Sequence, residues 1–272
     1  MADTIQIKIK TGSTDQSEIL IAELSEINFD AFEEEENFLS AFIKEEFFYE
    51  DELNKILCPK NISFTKSIIK ETNWNAKWES EFEPIVIENF VAVRASFHKT
   101  IQNVRHQIII TPKMSFGTGH HATTHLMLQQ MQNIDFSDKT VLDFGTGTGI
   151  LAILAKKLGA KEVVAIDNDQ WSINNATENL IANNCTGISL LQKDCLAGLE
   201  IFDIILANIN LNVITTSIKQ IKLASHQSTQ LLLSGFLISD EQKVINNFAS
   251  EGFKHITTTE KDGWVSILLT KS

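Results

Sequence analysis

Cysteine, proline and tyrosine are scarce in this chain of 272 residues, which contains three, three and one of them, respectively. The cysteines, Cys58, Cys185 and Cys195, are odd in number and form no C-x-x-C pair, which argues against a disulfide framework and a zinc knuckle. Isolated thiols are typical of a reducing compartment, so we expect a cytoplasmic protein. No apolar run approaches the roughly 20 residues that span a bilayer, and the N-terminus lacks a secretory signal pattern, so no membrane association is expected.

Lys and Arg residues are also few relative to Asp and Glu residues. The formal net charge is −12, and most of the excess negative charge lies near the start of the chain. Residues 1–60 contain fifteen Asp and Glu residues but only five Lys and Arg residues. Nonspecific nucleic-acid binding needs Lys and Arg to neutralise phosphates, so direct nucleic-acid binding is not expected. The acidic segment would suit a basic protein partner, while an acidic surface that is merely solvated explains the same residues equally well.

What the chain does contain is a glycine-rich segment, Val141 to Gly149, which reads Val-Leu-Asp-Phe-Gly-Thr-Gly-Thr-Gly. An amphipathic segment follows it, and a second apolar run then ends at Asp167. This order predicts a strand, a glycine turn, a helix and a second strand, which together form one βαβ unit. Glycines let the backbone approach a ligand, and an acid at the tip of the second strand can accept hydrogen bonds from ribose hydroxyls. The unit therefore predicts a site for a cofactor that contains a nucleoside.

The spacing of the glycines indicates which cofactor this is. Gly145, Gly147 and Gly149 form G-x-G-x-G, whereas a dinucleotide fingerprint reads G-x-G-x-x-G. A carboxylate at Asp143 would repel a pyrophosphate, but it suits the ammonium and sulfonium groups of S-adenosylmethionine. The pattern D-x-G-x-G-x-G is similar to the cofactor loop of class I methyltransferases, which predicts cofactor contacts at Asp143, Gly145 and Gly147. The alternative is a glycine-rich helix cap in another kind of α/β enzyme.

Hydrophobic periodicity divides the chain into two domains joined by a linker. Residues 1–70 show the order βαββαβ, with strands at 4–10, 29–35, 38–43 and 62–69 and helices at 17–28 and 50–57. This order predicts a small ferredoxin-like α+β domain. Residues 71–95 are the predicted linker, in which Trp74, Trp78 and Phe82 would share one helix face because they are four residues apart.

Residues 96–272 form the predicted second domain, in which helices and strands alternate. Two strands are predicted near 85–94 and 107–111. They are followed by helices at 121–133, 149–158, 170–183, 210–224 and 239–250 and by strands at 140–143, 163–167, 187–191, 203–207, 229–234, 254–260 and 264–270. The alternation predicts an α/β fold with a doubly wound, mostly parallel seven-stranded sheet and an antiparallel final strand.

Ligands of such a sheet bind beyond the carboxyl ends of its strands, where this chain carries several polar residues. Thr123 and Thr124 fall in the first turn of the helix predicted at 121–133, where hydroxyl and N–H groups can hold a carboxylate. Asp194 follows the strand predicted at 187–191, where an acid can contact the amino group of adenine. A plain helix cap at the threonines and a solvated loop acid at Asp194 are the alternatives.

Asn208 follows the strand predicted at 203–207 and is the candidate catalytic residue, because an amide there would lie beside the reactive methyl group. Enzymes that methylate planar nitrogens often share an Asn-Pro-Pro-aromatic sequence, in which the aromatic ring stacks on the substrate. This chain reads Asn208-Ile-Asn-Leu211 instead, which disfavours a planar acceptor. A tetrahedral amine held by the Asn208 side-chain carbonyl fits better, and the alternative is a helix N-cap at Asn208 or Asn210.

His121 and His125 are spaced i, i+4, as metal ligands on a helix often are. A zinc site needs at least a third protein ligand, and none with suitable spacing is evident. Methyl transfer from a sulfonium also needs no metal, so we predict no metal site.

These segments together resemble the ribosomal protein L11 methyltransferase family of bacteria. The resemblance rests on Phe116-Gly-Thr-Gly-His-His-Ala-Thr-Thr124, which is similar to the family signature F-G-T-G-x-H-x-T-T, on the loop at 143–149, and on Gly159-Ala160, Asp167-Asn-Asp169, Ala207-Asn-Ile209 and Ser234-Gly-Phe-Leu237. The chain departs from the family at His120, Ala122, Thr146 and Asn210, where a small hydroxyl residue, a proline, a small residue and an apolar or small residue are usual.

The resemblance implies an N-terminal substrate-recognition domain ahead of a methyltransferase domain, and cofactor contacts at Thr124, Gly145, Asp167 and Asn208. It also implies methylation of amino groups in ribosomal protein L11, at the N-terminal α-amine, at lysine ε-amines or at both, with S-adenosylhomocysteine as the product. The expected partner is thus a basic ribosomal protein, and we expect a monomer. The competing functions are methylation of another protein, an RNA or a small-molecule amine, and a non-catalytic binding module.

Overall fold

The computed structural model describes residues 3–69, 82–111, 117 and 119–272. The chain divides into two compact units, Met1–Glu81 and Phe82–Ser272. The division by role into a recognition domain, a linker and a methyltransferase domain stays a prediction. Trp74 and Trp78 of the helix predicted in the linker lie outside the described residues, whereas Phe82 lies within them.

The described part of the first unit is an α+β domain of the predicted ferredoxin-like order. Its elements are β1 (Thr4–Lys10), α1 (Thr14–Ser25), β2 (Ala31–Glu35), β3 (Phe38–Lys44), α2 (Glu50–Leu57) and β4 (Phe64–Ile69). The strands pair antiparallel in the order β2-β3-β1-β4. The alternating isoleucines of β1 are buried against α1 and α2, which is the pattern of a sheet covered on one face.

Helix α1 begins three residues before its predicted start, because Ser13 caps it. The Ser13 hydroxyl oxygen accepts a hydrogen bond from the Gln16 N–H at 3.3 Å, which satisfies one of the unpaired N–H groups of the first turn. The helix ends at Ser25, and Asn28 then adopts a left-handed conformation with φ of 69°.

A small sheet opens the second unit and corrects one predicted strand. Strands β5 (Ile85–Ile87) and β6 (Val91–Ala95) pair antiparallel, and β6 pairs parallel with β7 (His106–Ile110). The single strand predicted over 85–94 is wrong, because Glu88 adopts a φ of 49° and turns the chain back on itself. Residues 82–95, at the end of the predicted linker, therefore include two strands of the second unit.

The described residues of the second unit also form the predicted doubly wound sheet. Its strands are β8 (Thr140–Phe144), β9 (Glu162–Asp167), β10 (Ile188–Gln192), β11 (Phe202–Asn208), β12 (Ser225–Leu237), β13 (Phe253–Lys261) and β14 (Trp264–Lys271). Its helices are α3 (Ala122–Met131), α4 (Ile150–Lys157), α5 (Gln170–Ala182), α6 (Leu211–Leu223) and α7 (Glu241–Ala249). The strand order is β10-β9-β8-β11-β12-β14-β13, and β14 runs in the opposite direction to the other six strands.

Two apolar clusters cover the two faces of this sheet, which explains why its central strands are continuous apolar runs. Residues Ile150–Ala155 of α4 are all buried, because α4 packs between the large sheet and β7. From β8, the chain continues through β9 to β10 on one side of the sheet. It then crosses to β11 on the other side of β8, so the direction in which strands are added reverses at β8. Ligands of open α/β sheets bind at this reversal. In the described part of the chain, no helix has the length and apolar character needed to cross a bilayer.

Candidate functional site

A cavity of about 520 Å³ lies where the carboxyl ends of β8, β9 and β11 meet. Phe144, Asp167 and Asn208 are the last residues of these strands, and all three line it. The volume falls in the range of about 300–1,000 Å³ that is typical of small-molecule sites. The other lining residues include Gly117, His121, Gly145, Gly147, Lys193, Asp194, Ile209, Asn210, Val213, Gly235 and Trp264.

The structure brings together most of the residues that the sequence predicts for the site. Gly145, Gly147, Asp167, Asp194 and Asn208 all line the cavity. Thr124 and Asp143 are fully buried behind lining residues. The Thr124 hydroxyl oxygen accepts a hydrogen bond from the Asn208 amide at 3.2 Å, and Asp143 accepts one from the Thr146 hydroxyl at 2.6 Å. The cofactor contacts of these seven residues stay predictions, and Phe116 and Thr118 of the signature lie outside the described residues.

The glycine loop presents its backbone to the cavity. Its N–H groups at Gly145 and Thr146 both donate to the carbonyl oxygen of Ile166 at 2.9 Å, which ties the loop to β9. Gly145 has a φ of 75°, and a Cβ atom there would overlap the Ile209 side chain. The position therefore requires glycine both for its backbone conformation and for its space.

Asp167 has its carboxylate fixed at the end of β9. One oxygen accepts the Gly147 N–H at 2.9 Å, and the other accepts the Asp169 N–H at 3.0 Å. A carboxylate offers about four lone-pair sites, so Asp167 can accept further hydrogen bonds from a diol in the cavity. This geometry suits the ribose contact that the sequence predicts.

Asp143 links the glycine loop to the start of α4. One of its oxygens accepts hydrogen bonds from the Thr146 hydroxyl and from the Ala152 N–H, the latter at 3.2 Å, while the other has no partner among the described residues. Burial raises the pKa of this carboxyl to about 7, and the two hydrogen bonds oppose the rise. The negative charge of Asp167 also contributes to this raised pKa.

This raised pKa predicts a stability contribution that declines as the pH rises. From about pH 4, where the carboxyl titrates in the unfolded chain, to about pH 7, the folded protein binds more protons than the unfolded chain. The free energy of unfolding should therefore fall over this window, by at most about 1.4 kcal/mol per pH unit. Asp143→Asn keeps an oxygen acceptor but no charge, so it should remove this component. Urea unfolding of both proteins across the window measures the difference, and parallel pH profiles would contradict the assignment.

Asn208 is held at the cavity with one acceptor unused. Its amide nitrogen donates to Thr124, whereas its Oδ1 atom is buried and has no hydrogen-bond partner among the described residues. The N-cap of α6 is Asn210, whose side-chain oxygen accepts the Val213 N–H at 3.0 Å. The capping alternative therefore applies to Asn210, and the buried Asn208 carbonyl oxygen has its hydrogen-bonding capacity unused among the described residues.

His121 caps the N-terminus of α3. Its Nδ1 atom accepts the Thr123 N–H at 3.3 Å, and its ring meets the Trp264 ring edge-on with centroids 4.8 Å apart. Among residues 3–69, 82–111, 117 and 119–272, no group of three or more His, Cys, Asp or Glu side chains is placed to hold a metal ion.

Sequence reasoning missed several residues that line the cavity, among them Lys193, Val213 and Trp264. Gly235 entered only through the family resemblance. Trp264 reaches the cavity because β14 pairs with β12, which is a contact between distant parts of the chain. No local pattern around Trp264 signals this role.

Comparison with known proteins gives consistent results. The family model described as Ribosomal protein L11 methyltransferase (PrmA) matches residues 3–272. The ribosomal protein L11 methyltransferase of Bacteroides fragilis is 35% identical over 259 residues, or 92% of each chain. That of Porphyromonas gingivalis is 38% identical over 261 residues, or 93% of this chain and 90% of its own.

Solved structures agree with these relatives. The crystal structure of a ribosomal protein L11 methylase from Lactobacillus delbrueckii subsp. bulgaricus is 28% identical, covers 70% of this chain and 99% of its own, and superposes with a TM-score of 0.65. A putative RNA methyltransferase from Pyrococcus horikoshii, at 18% identity and a TM-score of 0.50, covers 59% of this chain and shares the fold. The family match covers nearly the whole chain and agrees with the cavity at β8, β9 and β11, so the chain belongs to the ribosomal protein L11 methyltransferase family and is a methyltransferase.

Proposed function

We propose that this enzyme transfers methyl groups from S-adenosylmethionine to amino groups of ribosomal protein L11, at the N-terminal α-amine, at lysine ε-amines or at both. The observation that carries the proposal is that two polar groups of suitable chemistry lie at the same cavity. Asp167 offers a fixed carboxylate at the end of β9, and Asn208 offers a buried carbonyl oxygen without a partner among the described residues at the end of β11.

The residues of the cavity fit S-adenosylmethionine. This cofactor carries a ribose diol, an ammonium group and a sulfonium but no phosphate, and the cavity offers carboxylates and glycine backbone. Asp167 would hold the ribose hydroxyls, Asp194 the adenine amino group, and the backbone at Gly145 and Gly147 the amino-acid end. The overlap that a Cβ atom at Gly145 would cause shows that the loop has no room for a side chain there.

The bound cofactor supplies an electrophilic methyl group on its sulfonium. The protein's part is to position the acceptor amine, since placing two reactants in the right geometry can account for about 7–11 kcal/mol of a barrier. The Asn208 Oδ1 atom accepts an N–H of the neutral amine and thereby aims its lone pair. An α-amine with a pKa of about 7.7–8.0 is partly neutral near pH 7, whereas neutralising a lysine of pKa about 10.4 costs about 4–5 kcal/mol. Burial in the cavity would offset part of that cost.

The surroundings of Asn208 favour an amine over a planar acceptor. Ile209 packs beside Gly145 and Gly235, and Asn210 caps α6, so neither position supplies a ring to stack on a flat base. The acidic composition of residues 1–60 favours a basic protein substrate over an RNA. A basic ribosomal protein meets both conditions, because it is positively charged and carries amines. We expect the enzyme to act as a monomer.

The experiment that tests the function supplies S-adenosylmethionine with a tritiated methyl group. Purified ribosomal proteins, ribosomal RNA and small-molecule amines are offered separately, and Asn208→Ala enzyme is the control for background label. We expect label in ribosomal protein L11, at positions that mass mapping assigns to amines. Label confined to RNA or to a small molecule would replace this substrate with a competing one.

Asp167→Ala should chiefly weaken cofactor affinity. The variant loses both the predicted ribose contact and the anchor for the Gly147 N–H, so we expect binding at least about tenfold weaker by calorimetry. Glu162→Ala is the matched control, because Glu162 is an exposed acid at the opposite end of the same strand. Equal affinities for the Asp167 variant and the wild type would count against the ribose contact.

A further inference from the structure

Helix α5 carries Asn175 and Asn179, and Asn183 is its C-cap, so the three asparagines follow one another at a spacing of four residues. This spacing places them on one face of the helix. Asn175 and Asn179 are at most 1% exposed, and buried amides are costly unless they are hydrogen-bonded. The three side chains therefore need partners across that face.

Two of these amides pair with the outer edge of β7. Asn183 accepts the Ile109 N–H at 2.9 Å and donates to the Ile109 carbonyl at 2.6 Å, and Asn179 accepts the Thr111 N–H at 2.7 Å. One step of four residues along a helix is about 6.0 Å, and two residues of a strand span about 6.6 Å. The spacing of the side-chain amides along the helix therefore nearly equals the spacing of the backbone groups along the strand edge. The amides bond to that edge as a neighbouring strand would.

Asn179 also contacts the glycine loop. Its amide nitrogen donates to the Thr148 carbonyl at 2.8 Å, and the Thr148 hydroxyl donates to the Gly117 carbonyl at 2.7 Å. Thr148 is fully buried between Gly147 and Gly149, and both Gly147 and Gly117 line the cavity. The buried Asn179 side chain thus connects the glycine loop to the end of β7, and Thr148 connects the same loop to Gly117.

We propose that Asn179, acting through Thr148, is a positioning residue that holds the glycine loop in the conformation that receives S-adenosylmethionine. The proposal rests on the proposed function for the identity of the cofactor. Asn179 does not line the cavity, so its effect is indirect. Without it, the Thr148 carbonyl and the Thr111 N–H lose their partners, and the cofactor must order the loop as it binds, which lowers its apparent affinity.

The test compares two asparagines of the same helix face. Calorimetry measures the affinity of wild-type protein, Asn179→Ala and Asn183→Ala for S-adenosylmethionine and S-adenosylhomocysteine. Asn183 bonds to Ile109 and not to the loop, so its variant controls for lost packing and stability. We expect Asn179→Ala to bind at least about tenfold more weakly and Asn183→Ala to stay within about twofold of wild type. Amide hydrogen exchange at Thr148 and Gly149 should accelerate in the Asn179 variant alone.

A second pair of variants decides the matter if Asn179→Ala does not fold. Asn179→Leu and Asn183→Leu keep the side-chain volume and so avoid the cavity that alanine leaves, but each removes the amide, so affinity should fall in the first variant alone. Equal affinities for the Asn179 and Asn183 variants of either pair would overturn the positioning role. A wild-type protein that binds neither S-adenosyl compound would instead overturn the proposed function.

Discussion

Replacing Gly235 with alanine is expected to lower methyl transfer by more than about 100-fold. Gly235 has a φ of 101°, and a Cβ atom there would overlap the backbone carbonyl of Ile209. A backbone carbonyl cannot rotate aside as a flexible side chain can, so the turn that carries Asn208 must move. A misplacement of about 1 Å at a reacting group can cost about 100-fold in rate, which sets the scale of the loss.

Steady-state kinetics with ribosomal protein L11 and thermal unfolding measure this effect. Gly252→Ala is the matched control, because Gly252 has a similar φ of 90° but no heavy atom within 4 Å of the added Cβ. It should cost about 1–2 kcal/mol of backbone strain and leave turnover near that of the wild type. If the two variants lose activity equally, strain alone is responsible, and the contact with Ile209 has no special role.

Asn208→Ala is expected to lower kcat by about 100-fold or more while changing cofactor affinity little. The change removes the acceptor that orients the amine, and it leaves the Asp167 carboxylate and the glycine loop in place. An interaction that acts in the transition state appears in kcat rather than in ground-state binding. Calorimetry with S-adenosylhomocysteine and single-turnover rates measure the two quantities separately.

Asn212→Ala provides the control for Asn208, since Asn212 is an exposed asparagine in the first turn of α6. It should match the wild type in both measurements. Turnover of Asn208→Ala close to that of the wild type would reject the orienting role. A large loss of cofactor affinity with little change in kcat would assign Asn208 to cofactor binding instead.

The fold was predictable where periodicity is long and local. The alternating isoleucines of β1 and the apolar runs within β9 and β11 report directly which faces are buried. The turn at Glu88 was not predictable, because glutamate rarely adopts a positive φ and neither glycine nor proline marks the position. Strand β12 extends past its predicted end at 234 because pairing with β14 continues past a register shift at Gly235, and it begins before its predicted start at 229, where Ser225 pairs with Phe202 of β11.

The candidate site was predictable where it is formed by residues at the carboxyl ends of parallel strands, because those ends lie at the same edge of the sheet. Asp167, Asp194 and Asn208 each follow a strand, so their convergence on one cavity follows from topology. Trp264 and the packing of Ile209 against Gly235 depend on strand pairing between distant segments, which local patterns do not encode. The asparagines at 175, 179 and 183 did carry a signal, because a buried helix face with amides at a spacing of four requires partners.

The position of β14 has a consequence for how the protein is made. This strand lies between β12 and β13 although it follows both in the chain. As the nascent polypeptide leaves the ribosome, the outer edge of β12 emerges unpaired, and β13 emerges with no partner in the sheet among the described strands. Exposed edges of this kind invite pairing with other chains, so we expect aggregation to be favoured while β14 is missing. Because Trp264 belongs to β14 and lines the cavity, the lining of the cavity is complete only after that strand has paired.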